Sequence, residues 1–298
     1  MRSATLALGT LLLTSGCRAQ HHPLADPTAD ATHVSVNLII PDPPPTTPAF
    51  EDPSTLVPGR IPLTFSVDKV TLRGFFYRNT VPVNQRAAHT DAPTILFFNG
   101  NGMTVSAADA LYRQIAALGA NVIAIDYRGY GLSDGTADLP TFRSDALKIY
   151  DHQLVSLPGQ RIIVYGYSMG TAIAAYIASQ RPVAALILAA PIASAEEEFP
   201  VYAHAAGIDI HGLAPSSAAH DVFGESTLIT RSTAPLLVLH GDADRLVPIA
   251  QGREIFAASP SLQKRFVELP SATHNTTATD PEALQAVRQL LQSLQAAR

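Results

Sequence analysis

Three residue types that together turn a weak nucleophile into a strong one occur in this chain in a fixed order. A serine lies in Gly166-Tyr167-Ser168-Met169-Gly170. An acid follows in His240-Gly241-Asp242-Ala243-Asp244, and a histidine in Ala272-Thr273-His274-Asn275. A serine hydroxyl attacks poorly near neutral pH. It needs a base within hydrogen-bond reach, and that base needs an acid to fix its tautomer and stabilise the imidazolium. Serine, acid, histidine is one of the chain orders that hydrolytic triads use. The G-x-S-x-G pattern alone carries little, since at ordinary glycine and serine content it arises by chance in roughly one in ten chains of this length. Its surroundings must decide.

Those surroundings are a strand and a helix. Residues 162–165 are a short β-branched run that reads as a buried strand, and residues 169–179 are an alanine-rich stretch of helix formers. Between them the flanking glycines leave room where a Cβ would clash. The serine then sits in strained geometry with its hydroxyl projecting outward, and the helix that follows turns its first amides toward the same spot. Around this unit the same alternation repeats. Residues 65–77 read as two early strands, and 94–98, 121–125, 183–188, 236–239 and 265–269 as apolar strands. Helices are expected after Ser106, with Asp109 at a capping-box position, over about 140–155, and from Asp280-Pro281 onward with Leu284, Val287, Leu291 and Leu294 inward. Strands alternating with helices predict a mostly parallel sheet covered on both faces, with ligands bound beyond the carboxyl ends of the strands. Ser168, the Asp242–Asp244 pair and His274 all follow strands.

Composition narrows the partners. The 298 residues are 47% hydrophobic and 15% charged, with net charge -5 and no basic block, which argues against nucleic acid. At the N-terminus, Arg2 precedes a short apolar run over 4–13, and Thr14-Ser15-Gly16-Cys17 resembles a bacterial lipobox, with threonine where leucine is usual. Cys17 is the only cysteine. Residues 1–17 therefore read as a signal peptide whose cysteine receives a lipid. Residues 18–59, with Pro41-Asp42-Pro43-Pro44-Pro45, read as a disordered tether in which a stray strand over 34–40 carries little weight, and 60–298 read as the folded domain. One cysteine excludes a disulfide scaffold and a thiolate-cluster metal site.

With Asn99-Gly100-Asn101-Gly102, Asp126-Tyr127-Arg128-Gly129-Tyr130-Gly131, the serine pentapeptide, His240 to Pro248 and Ala272 to Asn275 in this order, residues 61–298 resemble the α/β-hydrolase superfamily, within it the small-lid serine esterase and serine aminopeptidase-like branch. The resemblance implies an α/β-hydrolase fold with a short lid over about 194–232. It implies Ser168 as nucleophile, Asp244 as acid, His274 as base, and an oxyanion hole from the backbone amides of Asn101 and Met169. Asn99 stands where many relatives have histidine, and Thr273 where glycine is commoner. Neither change removes a reacting group.

The reaction so implied is cleavage of an ester-type acyl bond in a small molecule through an acyl-enzyme, as in carboxylesterases. It needs no cofactor and no metal. The enzyme would be a monomer held at the bacterial envelope through Cys17, or secreted. A non-catalytic binding protein on the same scaffold and an acyltransferase are the alternatives. Other residues have plainer readings. His240 at a strand end reads as a packed histidine, and Asp126 and Arg128 as a loop-bracing salt bridge. Glu196 to Glu198 read as a solvated helix start. His204, His211 and His220 have no metal-ligand spacing, and Phe199, Tyr202, Ile208, Ile210, Leu213 and Phe223 line an acyl pocket or pack the lid.

Overall fold

The computed structural model describes residues 34–36, 59–81, 92–157, 159–205, 213–215, 220 and 222–296. The signal-like segment with Cys17 and almost all of the tether lie outside the described residues. Within the tether, β1 (Val34–Val36) is a three-residue strand, paired in parallel with Leu213–Pro215 of the lid region.

The chain continues through β2 (Arg60–Val67), β3 (Val70–Tyr77), β4 (Thr94–Phe98), helix α1 (Asp109–Ala116), β5 (Asn121–Ile125), α2 (Leu139–Ser156), β6 (Ile162–Tyr167), α3 (Met169–Gln180), β7 (Ala185–Ala189), α4 (Ala195–Ala205), β8 (Leu213–Pro215) and the short α5 (Glu225–Leu228). It closes with β9 (Leu236–Gly241), α6 (Ile249–Ala258), β10 (Lys264–Leu269) and α7 (Pro281–Ala296). Eight strands form one sheet in the order β10-β9-β7-β6-β4-β5-β3-β2. Only β3 runs against its neighbours β2 and β5; the other pairings are parallel. This is the α/β-hydrolase arrangement that the resemblance implies.

Period-two alternation explains why both faces are covered. Leu96 and Phe98 of β4 and Val164 of β6 face one core, with Phe142 and Ile149 of α2 and Ile173 and Ile177 of α3. Ile95 and Phe97, with Ile163 and Tyr165, face the other, with Leu111 and Ile115 of α1 and Val287 and Leu291 of α7. Each such side chain contributes about 1.5–3 kcal/mol by leaving water. That requirement fixes the register and hence the heights at which the strands end.

One helix starts later than its sequence suggests. Ser106 lies in an exposed turn and does not cap α1, which begins at Asp109 with no side-chain cap. Asp109 is instead bound by Arg113 at 2.6 Å and accepts the Tyr77 hydroxyl at 3.0 Å, so a tertiary network occupies the carboxylate that a capping box would use.

The tightest packing is where α3 meets the sheet. A Cβ on Gly170 would lie 2.1 Å from the Phe98 carbonyl oxygen, and one on Gly166 would lie 2.4 Å from the Gly170 carbonyl oxygen. Both obstacles are backbone, which cannot swing aside. Gly170→Ala should therefore destabilise the domain by about 3 kcal/mol, read as a lower urea midpoint at unchanged slope. An unshifted midpoint would mean that α3 can move away from β4.

Candidate active site

Ser168 is the hinge between β6 and α3. Its backbone sits at φ 52° and ψ -124°, a region that costs a non-glycine residue about 1–3 kcal/mol. The surroundings hold it there. Its amide donates to the Ala189 carbonyl at 2.9 Å, and its own carbonyl accepts the Thr171 amide at 2.8 Å. The Ser168 side chain is thereby turned out of the helix at the carboxyl edge of the sheet.

Residues far apart in the chain meet there. His274 Nε2 lies 2.9 Å from Ser168 Oγ, and His274 Nδ1 lies 2.8 Å from Asp244 Oδ2. A carboxylate can only accept from Nδ1–H, which leaves the Nε2 lone pair facing the serine hydroxyl. Asp244 is itself fixed, since its Oδ1 accepts the amides of Leu246 at 2.9 Å and Val247 at 2.8 Å. Its side chain is completely buried, so those donors supply the solvation that water cannot. The Tyr167 hydroxyl donates to the His274 carbonyl at 2.8 Å, and its ring lies 5.4 Å from the imidazole. Thr273, where relatives more often carry glycine, caps the short turn that presents His274.

Of the two candidate acids, only Asp244 reaches the histidine. Asp242 Oδ1 accepts the Ser271 amide at 2.6 Å and serves as a loop brace. His240 is fully buried behind Asp244. It donates from Nε2 to the Val247 carbonyl at 2.9 Å and stays 3.7 Å from Asp244 Oδ2. Burial holds its pKa below the ordinary histidine value, so a neutral ring sits beside the acid and does not compete for its charge.

The loop after β4 passes directly over Ser168: a Cβ on Gly100 would lie 3.3 Å from Ser168 Cβ. Three tyrosine hydroxyls pin this loop. Tyr112 donates to Asn99 Oδ1 at 2.5 Å, Tyr127 to the Asn99 carbonyl at 2.9 Å, and Tyr130 to Asn101 Oδ1 at 2.8 Å. Asn101 follows Gly100 on this pinned loop, and Met169 opens α3, where the first amides have no intrahelical acceptor. Tyr127 and Tyr130 lie inside a sequence stretch already marked by its pattern. Tyr112 carries no such signal.

Two expectations are corrected. Asp126 and Arg128 do not pair. Buried Asp126 accepts the amides of Val105 at 2.6 Å and Leu132 at 3.1 Å, while Arg128 forms a two-pronged bond to Asp145 at 2.6 Å on each prong. The helix start 196–198 is only partly solvated. Glu196 is exposed and meets His220 at 2.7 Å, but Glu198 is buried and accepts from Gln251 at 3.0 Å. Burial, with the Asp244 charge adding to it, pushes Glu198 up to about 8 against that hydrogen bond. The side chains of His204, His211, Tyr202, Ile208, Ile210 and Leu213 lie outside the described residues. Phe199 and Phe223 are buried in the core.

Residues 90–222 and 218–282 match the family described as serine aminopeptidase, S33. The chain is 30% identical over 189 residues to lysophosphatidylserine lipase ABHD12 of Rattus norvegicus, a match covering 59% of this chain and 48% of that protein. It is 31% identical over 237 residues to the uncharacterized protein Rv2307c of Mycobacterium tuberculosis, covering 78% of this chain and 76% of that one. The chain thus spans about half the length of the lipase relatives it matches. Among solved structures, ferulic acid-bound Est1E from Butyrivibrio proteoclasticus superposes with TM-score 0.63 at 17% identity, covering 78% of this chain and 99% of that one. A monoglyceride lipase from Saccharomyces cerevisiae superposes with TM-score 0.59 at 16% identity, covering 78% and 94%. These likenesses carry the fold.

The geometry separates the two aspartates experimentally. Asp244→Asn should slow covalent labelling of Ser168 by a fluorophosphonate by about 10⁴-fold through the wrong imidazole tautomer. Asp242→Asn should leave the rate nearly unchanged, and equal effects would contradict the assignment.

Proposed function

We propose, since the chain belongs to the serine aminopeptidase S33 family, that it is an ester hydrolase working through an acyl-enzyme on Ser168. The observation that carries this reading is the unbroken chain from Ser168 Oγ through both imidazole nitrogens of His274 to Asp244, with contacts of 2.9 and 2.8 Å. His274 Nε2 takes the hydroxyl proton as Oγ attacks the carbonyl carbon. Asp244 stabilises the imidazolium through Nδ1–H. The amides of Met169 and Asn101 receive the oxyanion, each worth roughly 3 kcal/mol in the transition state. His274 then protonates the departing alkoxide, and water repeats the sequence on the acyl-enzyme.

Carboxylic esters are favoured over amides because the lipase and esterase relatives act on them. We extend the proposal to the N-terminus: Cys17 carries a lipid, and the proline-rich tether holds the domain at an envelope membrane.

The wild-type protein should hydrolyse a p-nitrophenyl ester of a short fatty acid, and a monoacylglycerol, with a pre-steady-state burst. Ser168→Ala and His274→Ala should each lower kcat by about 10⁶-fold, and the double variant should be no worse, since the residues act as a unit. Turnover surviving in Ser168→Ala, or a silent wild type across an ester panel, overturns the reading.

A further inference from the structure

Behind the nucleophile lies a second carboxyl that the mechanism above does not use. Glu225, at the start of α5, is fully buried. Its Oε2 lies 2.8 Å from Thr171 Oγ1, and the same hydroxyl oxygen lies 2.5 Å from the Ser168 carbonyl oxygen. These contacts raise a question of proton count. A carbonyl oxygen holds no proton, so the single Thr171 hydroxyl hydrogen must go to Ser168. The contact to Glu225 then needs a hydrogen of its own, and only the carboxyl can supply it. The rest of the site agrees. Glu225 Oε1 is buried without a hydrogen-bond partner, although the Ile192 amide lies near enough to the carboxyl to favour its charged form. A neutral acid tolerates one unpartnered carbonyl oxygen, whereas a buried carboxylate would be left with a largely unsolvated charge.

The groups around Glu225 offset such a charge only in part. α3 presents Thr171, and the turn after β7 presents Ile192. From α2 comes Arg143, which forms no ion pair with the carboxyl; its guanidinium donates to the Val222 carbonyl at 2.5 Å and lies over the Tyr176 ring. α6 and the turn 229–231 pack against α5 without adding charge to its surroundings.

We propose that Glu225 is a positioning residue that acts as a neutral acid: its carboxyl proton goes to Thr171, Thr171 donates to the Ser168 carbonyl, and this chain holds the nucleophile turn in its strained conformation. Loss of that one proton leaves Thr171 shared between two acceptors and loosens the turn. The inference rests on Ser168 being the nucleophile for its activity arm, but not for its other two.

The pH range follows. Burial pushes Glu225 up to about 8, the Thr171 and Ile192 contacts and Arg143 opposing. The unfolded chain releases this proton in the ordinary carboxylate range, whereas the folded chain keeps it until about pH 8. Its contribution therefore favours the folded state at low pH, declines as pH climbs through that interval, and is level above it.

The test compares wild type with Glu225→Gln, Glu225→Ala and Thr171→Val. Glutamine keeps a donor toward Thr171 at every pH. Glu225→Gln should recover the turnover that Glu225→Ala loses and should lack the wild-type fall on the alkaline side, which reaches about tenfold one pH unit above the transition. Its unfolding temperature should decline less between pH 5 and pH 8 than that of wild type. Infrared difference spectra of the wild type across the transition should show a protonated carboxyl band vanish, and Thr171→Val should shift its frequency. Parallel stability curves, or a missing band, overturn the neutral acid. A band and a stability difference with identical activity profiles overturn the positioning role. If the protein hydrolyses no ester, the spectra and stability curves still decide whether the proton is there.

Discussion

The whole site depends on one close approach, the backbone of Gly170 against the Phe98 carbonyl. Because nothing larger than hydrogen fits between α3 and β4, the helix starts directly over the sheet. The chain must then reverse within a single residue, and Ser168 takes the left-handed conformation that results. The strain is local, while the restraints are spread over β7 through Ala189, α3 through Thr171 and the post-β4 loop through Gly100. Together they hold the turn, which is how an unfavourable conformation persists in a well-packed domain.

Three buried acids near this turn show how environment divides labour among identical groups. Asp244 receives two backbone amides and an imidazole N–H, so its charge is solvated by the protein. Glu198 receives one side-chain amide, Glu225 meets only the Thr171 hydroxyl and the Ile192 amide, and burial pushes both upward. The same carboxyl group thus meets three donors at one position and is left mostly to its burial at the other two. His240 follows the same logic from the basic side: its Nδ1 is buried without a partner, and the ring stays uncharged beside the acid.

Much of this was legible in the sequence, for physical reasons that can be named. Strands buried on both faces are continuous apolar runs, so 94–98 and 121–125 were readable to the residue. Ser168, Asp244 and His274 were readable as candidates because each follows a strand, although β10, before His274, is an edge strand with exposed positions. What was not readable depends on contacts between distant segments. α6 contains Gly252, which reads as a helix breaker. It is there because a Cβ would lie 2.3 Å from His240 Nδ1. Arg128 chose Asp145 over Asp126 because α2 brings that carboxylate alongside, which nothing in residues 126–135 foretells. Glu225 gave no sign at all, since a lone glutamate in a polar stretch belongs on the surface until the fold buries it.

The order of the triad along the chain has a further consequence for synthesis. The serine and its helix belong to the middle of the polypeptide, whereas the imidazole follows β10, the edge strand that can pair only after β9 is in place. A nascent chain emerging N-terminus first therefore carries Ser168 long before His274. Until the last strand docks, the Ser168 hydroxyl lacks its imidazole partner, so the three-residue cluster is completed only in the closing step of folding.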